Sequence, residues 1–186
     1  MTFQTVINIT QAIGVEGDFA SEDPRWSLPS VEGGFKAGGT QGAVPPAAAG
    51  VFIARFVWAD VATNTLVLNT GTGVPSGFLH RDMNGLNLIY FTTPSSTSFF
   101  IPAGFPVGEV FTGGTFFVRN TGAGAVAVGQ RAFAKNAHTS GAQMDGGTIQ
   151  FAATGATVAG YTETKWWAAT PGLANELIKM TSQPLG

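Results

Sequence analysis

The sequence predicts an all-β fold, a jelly-roll or β-sandwich or barrel-like single domain with long Gly/Pro-rich loops and an extended N-terminal arm. Three observations predict it. Apolar residues arrive in short packets rich in Phe, Val and Ile, as at Leu86 to Phe91, Phe99 to Ile101, Phe105 to Phe111 and Thr115 to Val118. Gly, Pro, Ser and Asn separate them. Nowhere do ten residues hold a helical apolar stripe free of Gly or Pro strongly enough to mark a long helix.

Composition narrows the class. Charged residues make up 11% of the 186-residue chain, against about 25% in an average soluble domain. A surface so poor in charge and rich in Phe is costly for a free monomer, so part of it is expected to be covered by other subunits or a partner. The nine Lys and Arg are scattered singly and the net charge is −2, which argues against nucleic-acid binding. With no cysteine, a disulfide framework and a thiolate metal site are excluded and the redox compartment stays open. No Lys or Arg precedes Arg25 and the opening residues lack the basic start and apolar core of a secretion signal. Two long uncharged stretches, residues 37–54 and 83–108, are interrupted by Gly, Pro, Ser, Thr or Asn, so no membrane span is expected.

Taken in order, residues 1–25 read as an N-terminal arm or edge strand, with Phe3, Val6, Ile7 and Ile9 in weak alternation. Glu16, Asp18, Glu22 and Asp23 do not have the spacing of a calcium loop and read as solvated turn carboxylates before Asp23-Pro24. Residues 26–50 are a Gly/Pro-rich loop without a phosphate-cradling motif. The core is placed at residues 51–186. Residues 51–60 form the clearest strand, with Phe52, Phe56 and Trp58 on one face and Val51, Ile53 and Val57 on the other, so it is buried on both sides. A turn and residues 66–69 complete a hairpin. Two further strands flank Gly113-Gly114, and residues 125–134 alternate small side chains with Gly129 as a bulge or close approach. Asp145-Gly146-Gly147 is a turn before residues 148–151, residues 152–161 are a weak strand, and residues 162–167 alternate. A short strand at residues 176–180 closes the chain.

Only His80-Arg81-Asp82 looks chemically pointed, because His80 and Asp82 would share a strand face. No G-x-S-x-G elbow accompanies it, and His138 has no second metal ligand at a standard spacing. His80 and Arg81 therefore read as structural hydrogen-bonding groups or an intersubunit contact, and no catalytic, cofactor-binding or metal-ligating residue is singled out.

The segment FQTVINITQAIGVEGDFASEDPR, then GFLHR, IPAGFPV, FFVRN and AVAVGQRAFA, and the closing ETKWWAATPGLANELIKM resemble the structural cement, or head decoration, proteins of tailed bacteriophages over most of the chain. The resemblance implies a non-enzymatic protein without cofactor. It implies a small homo-oligomer, dimer or trimer, made in the bacterial cytoplasm, that binds the outer surface of the capsid and clamps major capsid protein subunits together. On that reading the candidate interface residues are Phe3, Val6, Ile9 and Phe19 of the arm, Arg25, Trp26 and Phe35 after it, and His80 and Arg81. The alternative is a virion glycan- or receptor-binding protein that presents Tyr161, Trp166 and Trp167 to sugars.

Overall fold

The computed structural model describes residues 14–30, 34–39, 50–60, 65–81, 99–139 and 145–183. The first strands are β1 (Trp26–Ser27), β2 (Lys36–Ala37), β3 (Gly50–Phe52), β4 (Arg55–Ala59), β5 (Leu66–Leu68), β6 (Gly77–Leu79) and β7 (Phe100–Pro102). They are followed by β8 (Val110–Gly113), β9 (Thr115–Arg119), β10 (Arg131–Lys135), β11 (Ile149–Ala152), β12 (Tyr161–Ala168) and β13 (Leu177–Thr181). One sheet runs β1-β8-β6-β4-β5-β2, a second runs β11-β10-β12-β13-β9, and β3 pairs with β7 as a ribbon. The described residues thus form an all-β, sandwich-like single domain, as the sequence predicts.

Strand alternation builds two cores, one on each face of the six-stranded sheet. Phe56 and Trp58 of β4, Phe78 of β6 and Phe111 of β8 meet Phe116, Trp166, Ile178 and Met180 of the five-stranded sheet. The intervening residues Val57, Leu79 and Val110 pack on the other side with Val51, Ile53 and Ile101 of the β3–β7 layer, joined by Phe35, Ala37 and Val67. Aromatic rings fill the first core, with Phe78 and Phe116 at 4.9 Å and Phe116 and Trp166 at 5.6 Å between centroids. Such offset and tilted pairs add to simple area burial.

The two-sided strand is real but broken. Ala54 adopts φ 61°, so residues 51–60 divide into β3 and β4, which belong to different sheets. Asn69, 3% exposed, holds the break: its Oδ1 accepts from the Phe52 N–H, and its Nδ2 donates to the carbonyls of Phe52 (3.1 Å) and Phe56 (3.3 Å). Phe52 consequently leaves the Phe56 face and packs at a tilt against Phe100, 4.9 Å between ring centroids.

Elsewhere the strand boundaries differ from expectation for local reasons. Residues 105–109 are not regular strand, since Pro106 has no N–H to give a ladder. They bond instead to residues 35–37 through Ala37 N–H to Phe105 O and Val107 N–H to Phe35 O. Residues 26–50, expected as a surface loop, supply β1 and β2 to the six-stranded sheet. Gly129 (φ 85°) sits in a turn, and the bulge falls between Arg131 and Phe133. Residues 153–160 turn at Gly155 and Gly160, both at positive φ, instead of forming the weak strand. The expected strands at residues 1–13 and 86–93, and residues 62–64 of the expected turn at 62–65, lie outside the described residues.

Edges are covered. Residues 17–20 run along β9, with Gly17 N–H to Phe117 O (2.7 Å), Phe117 N–H to Asp18 O (2.9 Å) and Ala20 N–H to Thr115 O (2.9 Å). At the far end Asn120 bridges Ile149 of β11, and Thr121 N–H reaches Ile149 O at 2.8 Å. The five-stranded sheet therefore curls back on itself, which removes exposed edge there.

Candidate interface groove

Of the residues picked from the sequence, Phe19, Arg25 and His80 come together. Residues 17–20 are fixed on β9, which brings Phe19 against Phe116 at 5.2 Å, while His80 follows β6 and stacks on Phe19 at 4.5 Å. The Arg25 guanidinium lies 3.7 Å from the centre of the Phe19 ring, a cation–π contact. His80 also meets Phe111 edge-on at 5.2 Å. Arg81 turns to Asp18 at 3.4 Å and helps anchor the acidic turn. Trp26, on edge strand β1, is 54% exposed and lies across Gly113, where a Cβ would overlap its indole. Phe35 corrects its assignment: at 3% exposure it belongs to the second core, held there by the residue 105–107 pairing. Phe3, Val6 and Ile9 lie outside the described residues, as does Asp82.

These residues border a groove. One hollow of about 430 Å³ is lined by Phe19, Arg25, Ser27, His80, Glu109 and Phe111. A second of about 420 Å³ includes Leu28, Pro29, Phe35 and Val107 and shares Ser27 and Glu109 with the first. Together they make one trough beside β1. Ser27, Glu109 and Phe111 were not anticipated as site residues. The one available signal was Glu109, a lone acid inside the apolar run of residues 105–111.

Charge in this region serves to pin loops. Each acid of the N-terminal turn has its own partner: Glu16 with Arg119 (3.0 Å), Asp18 with Arg81 (3.4 Å) and Glu22 with Arg25 (3.7 Å). Asp23 accepts from the Ser21 and Thr115 hydroxyls, both at 2.6 Å, and these bonds lower its pKa. Across the molecule, Lys135 pairs with Asp145, which also accepts from the Thr139 hydroxyl (2.6 Å) and N–H (2.7 Å). Burial raises the Asp145 carboxyl, but the bonds from Lys135 and Thr139 outweigh it and bring the pKa from 3.8 to about 2. His138 Nδ1 accepts from the Gly146 N–H at 2.9 Å. Burial lowers the His138 pKa, Asp145 raises it, and Arg55 and Lys135 lower it again. That imidazole is a neutral acceptor in a loop.

The sugar-platform arrangement is not what forms. Trp166 is 3% exposed within the first core, and Trp167 lies under the Arg131 guanidinium at 3.9 Å.

Fold and groove together define a layered β structural protein with an aromatic edge. The model of the family described as XM1 gp53 minor capsid protein matches residues 3–182, and the chain belongs to that family. It is a phage minor capsid protein and its place is the virion. A chain of the solved capsid of Myoviridae Phage XM1 is similar in fold, with a TM-score of 0.60, 16% identity and 100% of each chain covered. No curated protein matches.

Proposed function

We propose that this minor capsid protein is a cement protein. It binds the outer surface of the assembled head as a small homo-oligomer, bridges neighbouring major capsid protein subunits and carries out no chemistry. The observation that carries this reading is the trough beside β1, where an exposed Trp26 adjoins an aromatic floor of Phe19, His80 and Phe111 on a rigid sheet edge. Exposed Trp beside Arg is the composition of binding hot spots, and a preorganised edge loses little entropy on docking. Each copy adds a contact of standard size, on the order of 1,200–2,000 Å², and repetition over the shell multiplies it. The roles of the described titratable groups agree with a structural part. Arg81 serves Asp18, Asp145 serves Lys135 and His138 accepts from Gly146.

The experiment is to bind purified protein to shells lacking it and image the particle at side-chain resolution. Density on the outer surface spanning two major capsid protein subunits supports the proposal. Density confined to the inner surface or to a single subunit removes it.

A further inference from the structure

We propose that His138 is a proton-operated latch: its neutral ring holds the residue 145–147 turn between the two sheets, and protonation releases that turn while the rest of the fold stays closed. This goes beyond the cement reading, because it is a property of the free chain.

The bond itself is the first argument. His138 Nδ1 accepts from the Gly146 N–H at 2.9 Å. A backbone N–H can only donate, so the bond exists only while Nδ1 carries no proton. Space is tight on both sides, since a Cβ on Gly146 would overlap the imidazole and the Asn69 carbonyl oxygen. A protonated ring would set two N–H groups head to head and has to move away.

Charge acts in the same direction. Among the described residues, the charged groups that act on the ring are Asp145 of the turn, Arg55 of β4 and Lys135 of β10. Arg55 donates to the Gly146 carbonyl at 3.3 Å, and Asp145 is already engaged by Lys135 and Thr139. Protonation thus adds a cation where two positive side chains face one carboxylate that is already shared. Burial and the two cations keep the ring neutral against the pull of Asp145.

The turn decides what the latch controls. Gly147 N–H donates to Lys135 O (2.9 Å) and Phe56 N–H to Gly147 O (3.0 Å), so the turn ties β10 of one sheet to β4 of the other. Phe56 is part of the first core, and release of the turn unseals that core at one point. Asp145 stays ionised down to about pH 2, so its bonds to Lys135 and Thr139 keep the freed turn tethered. Opening is therefore local and reversible.

Hydrogen exchange, read as protection factors from pH 7 down through the His138 titration seen by NMR, tests this. The amides of Gly146, Gly147 and Phe56 are expected to lose protection about tenfold or more, with the midpoint of the His138 ring. Val126 N–H, bonded to Gly172 O in another loop pair, keeps its protection. In His138→Asn the Oδ1 accepts without titrating, so protection holds throughout, whereas His138→Ala shows the low values already at pH 7. Unchanged protection across the titration overturns the proposal. So does an equal loss in His138→Asn, and so does a ring that stays neutral until Val126 and the rest of the domain open with it. None of these readings involves the shell, so the cement reading stands or falls separately.

Discussion

Gly147 shows how much of the fold rests on single backbone positions. Its φ is 71°, and a Cβ would overlap the Phe56 carbonyl oxygen, which marks where the residue 145–147 turn docks on β4 through Phe56 N–H to Gly147 O (3.0 Å). Gly147→Ala is expected to cost about 2–4 kcal/mol, from the left-handed conformation together with displacement of the turn. A shift in the chemical denaturation midpoint measures it. The same turn predicts acid sensitivity. The folded-state pKa of His138 is lowered, so its neutral form is favoured by folding, and that stability is present above pH 6.5 and lost as pH falls through the folded value. Asp145 is lowered from 3.8 to about 2, so its contribution is present above pH 3.8 and lost between there and about pH 2. Thermal melts between pH 7 and pH 2 are expected to fall in both windows for the native chain. Asp145→Asn should start lower at pH 7 and lose the steeper slope below pH 4; an unchanged slope contradicts the assignment.

At the scale of elements, buried amides hold the loops. Asn120, 1% exposed, donates from Nδ2 to the carbonyls of Gly124 (2.9 Å) and Leu173 (3.2 Å), and its Oδ1 accepts from the Gly122 N–H (3.0 Å). Asn120→Ala strands three backbone groups and is expected to cost about 2–4 kcal/mol. Faster hydrogen exchange at residues 121–126 and 172–176 would locate the damage. The hydrogen-bonded hub was not legible in the sequence, because an Asn at the end of FFVRN looks like any turn residue. What was legible followed period two: β12 buries Thr164, Trp166 and Ala168 and exposes Lys165 as its alternation predicts, and the two-faced character of residues 51–60 corresponds to the two cores. What was not legible depends on partners distant in sequence. β1 and β2 are two residues each and exist because β8 and β5 lie beside them, so their Gly/Pro-rich surroundings read as loop. Similarly, three of the candidate residues met at one groove only because residues 17–20 pair with β9, while Phe35 was drawn into the core by residues 105–107.

For the whole molecule, the low charge content now has a structural reading. Among the described residues two cores take up most of the Phe, Val and Ile, and the exposed apolar residues include Trp26 beside the trough and Val74, Val128 and Leu173 in loops. Trp26→Ala is expected to leave stability of the free protein within about 0.5 kcal/mol, as exposed substitutions do. It should weaken shell binding about tenfold or more, as loss of a hot-spot Trp does. Titrating shells with the variant checks this, and unchanged affinity would exclude Trp26 from the contact. The most direct measurement of the central claim is the melting of genome-filled shells with and without bound protein. The cement account predicts a higher melting temperature and longer genome retention when the protein is bound. Equal melting temperatures and equal retention would contradict it.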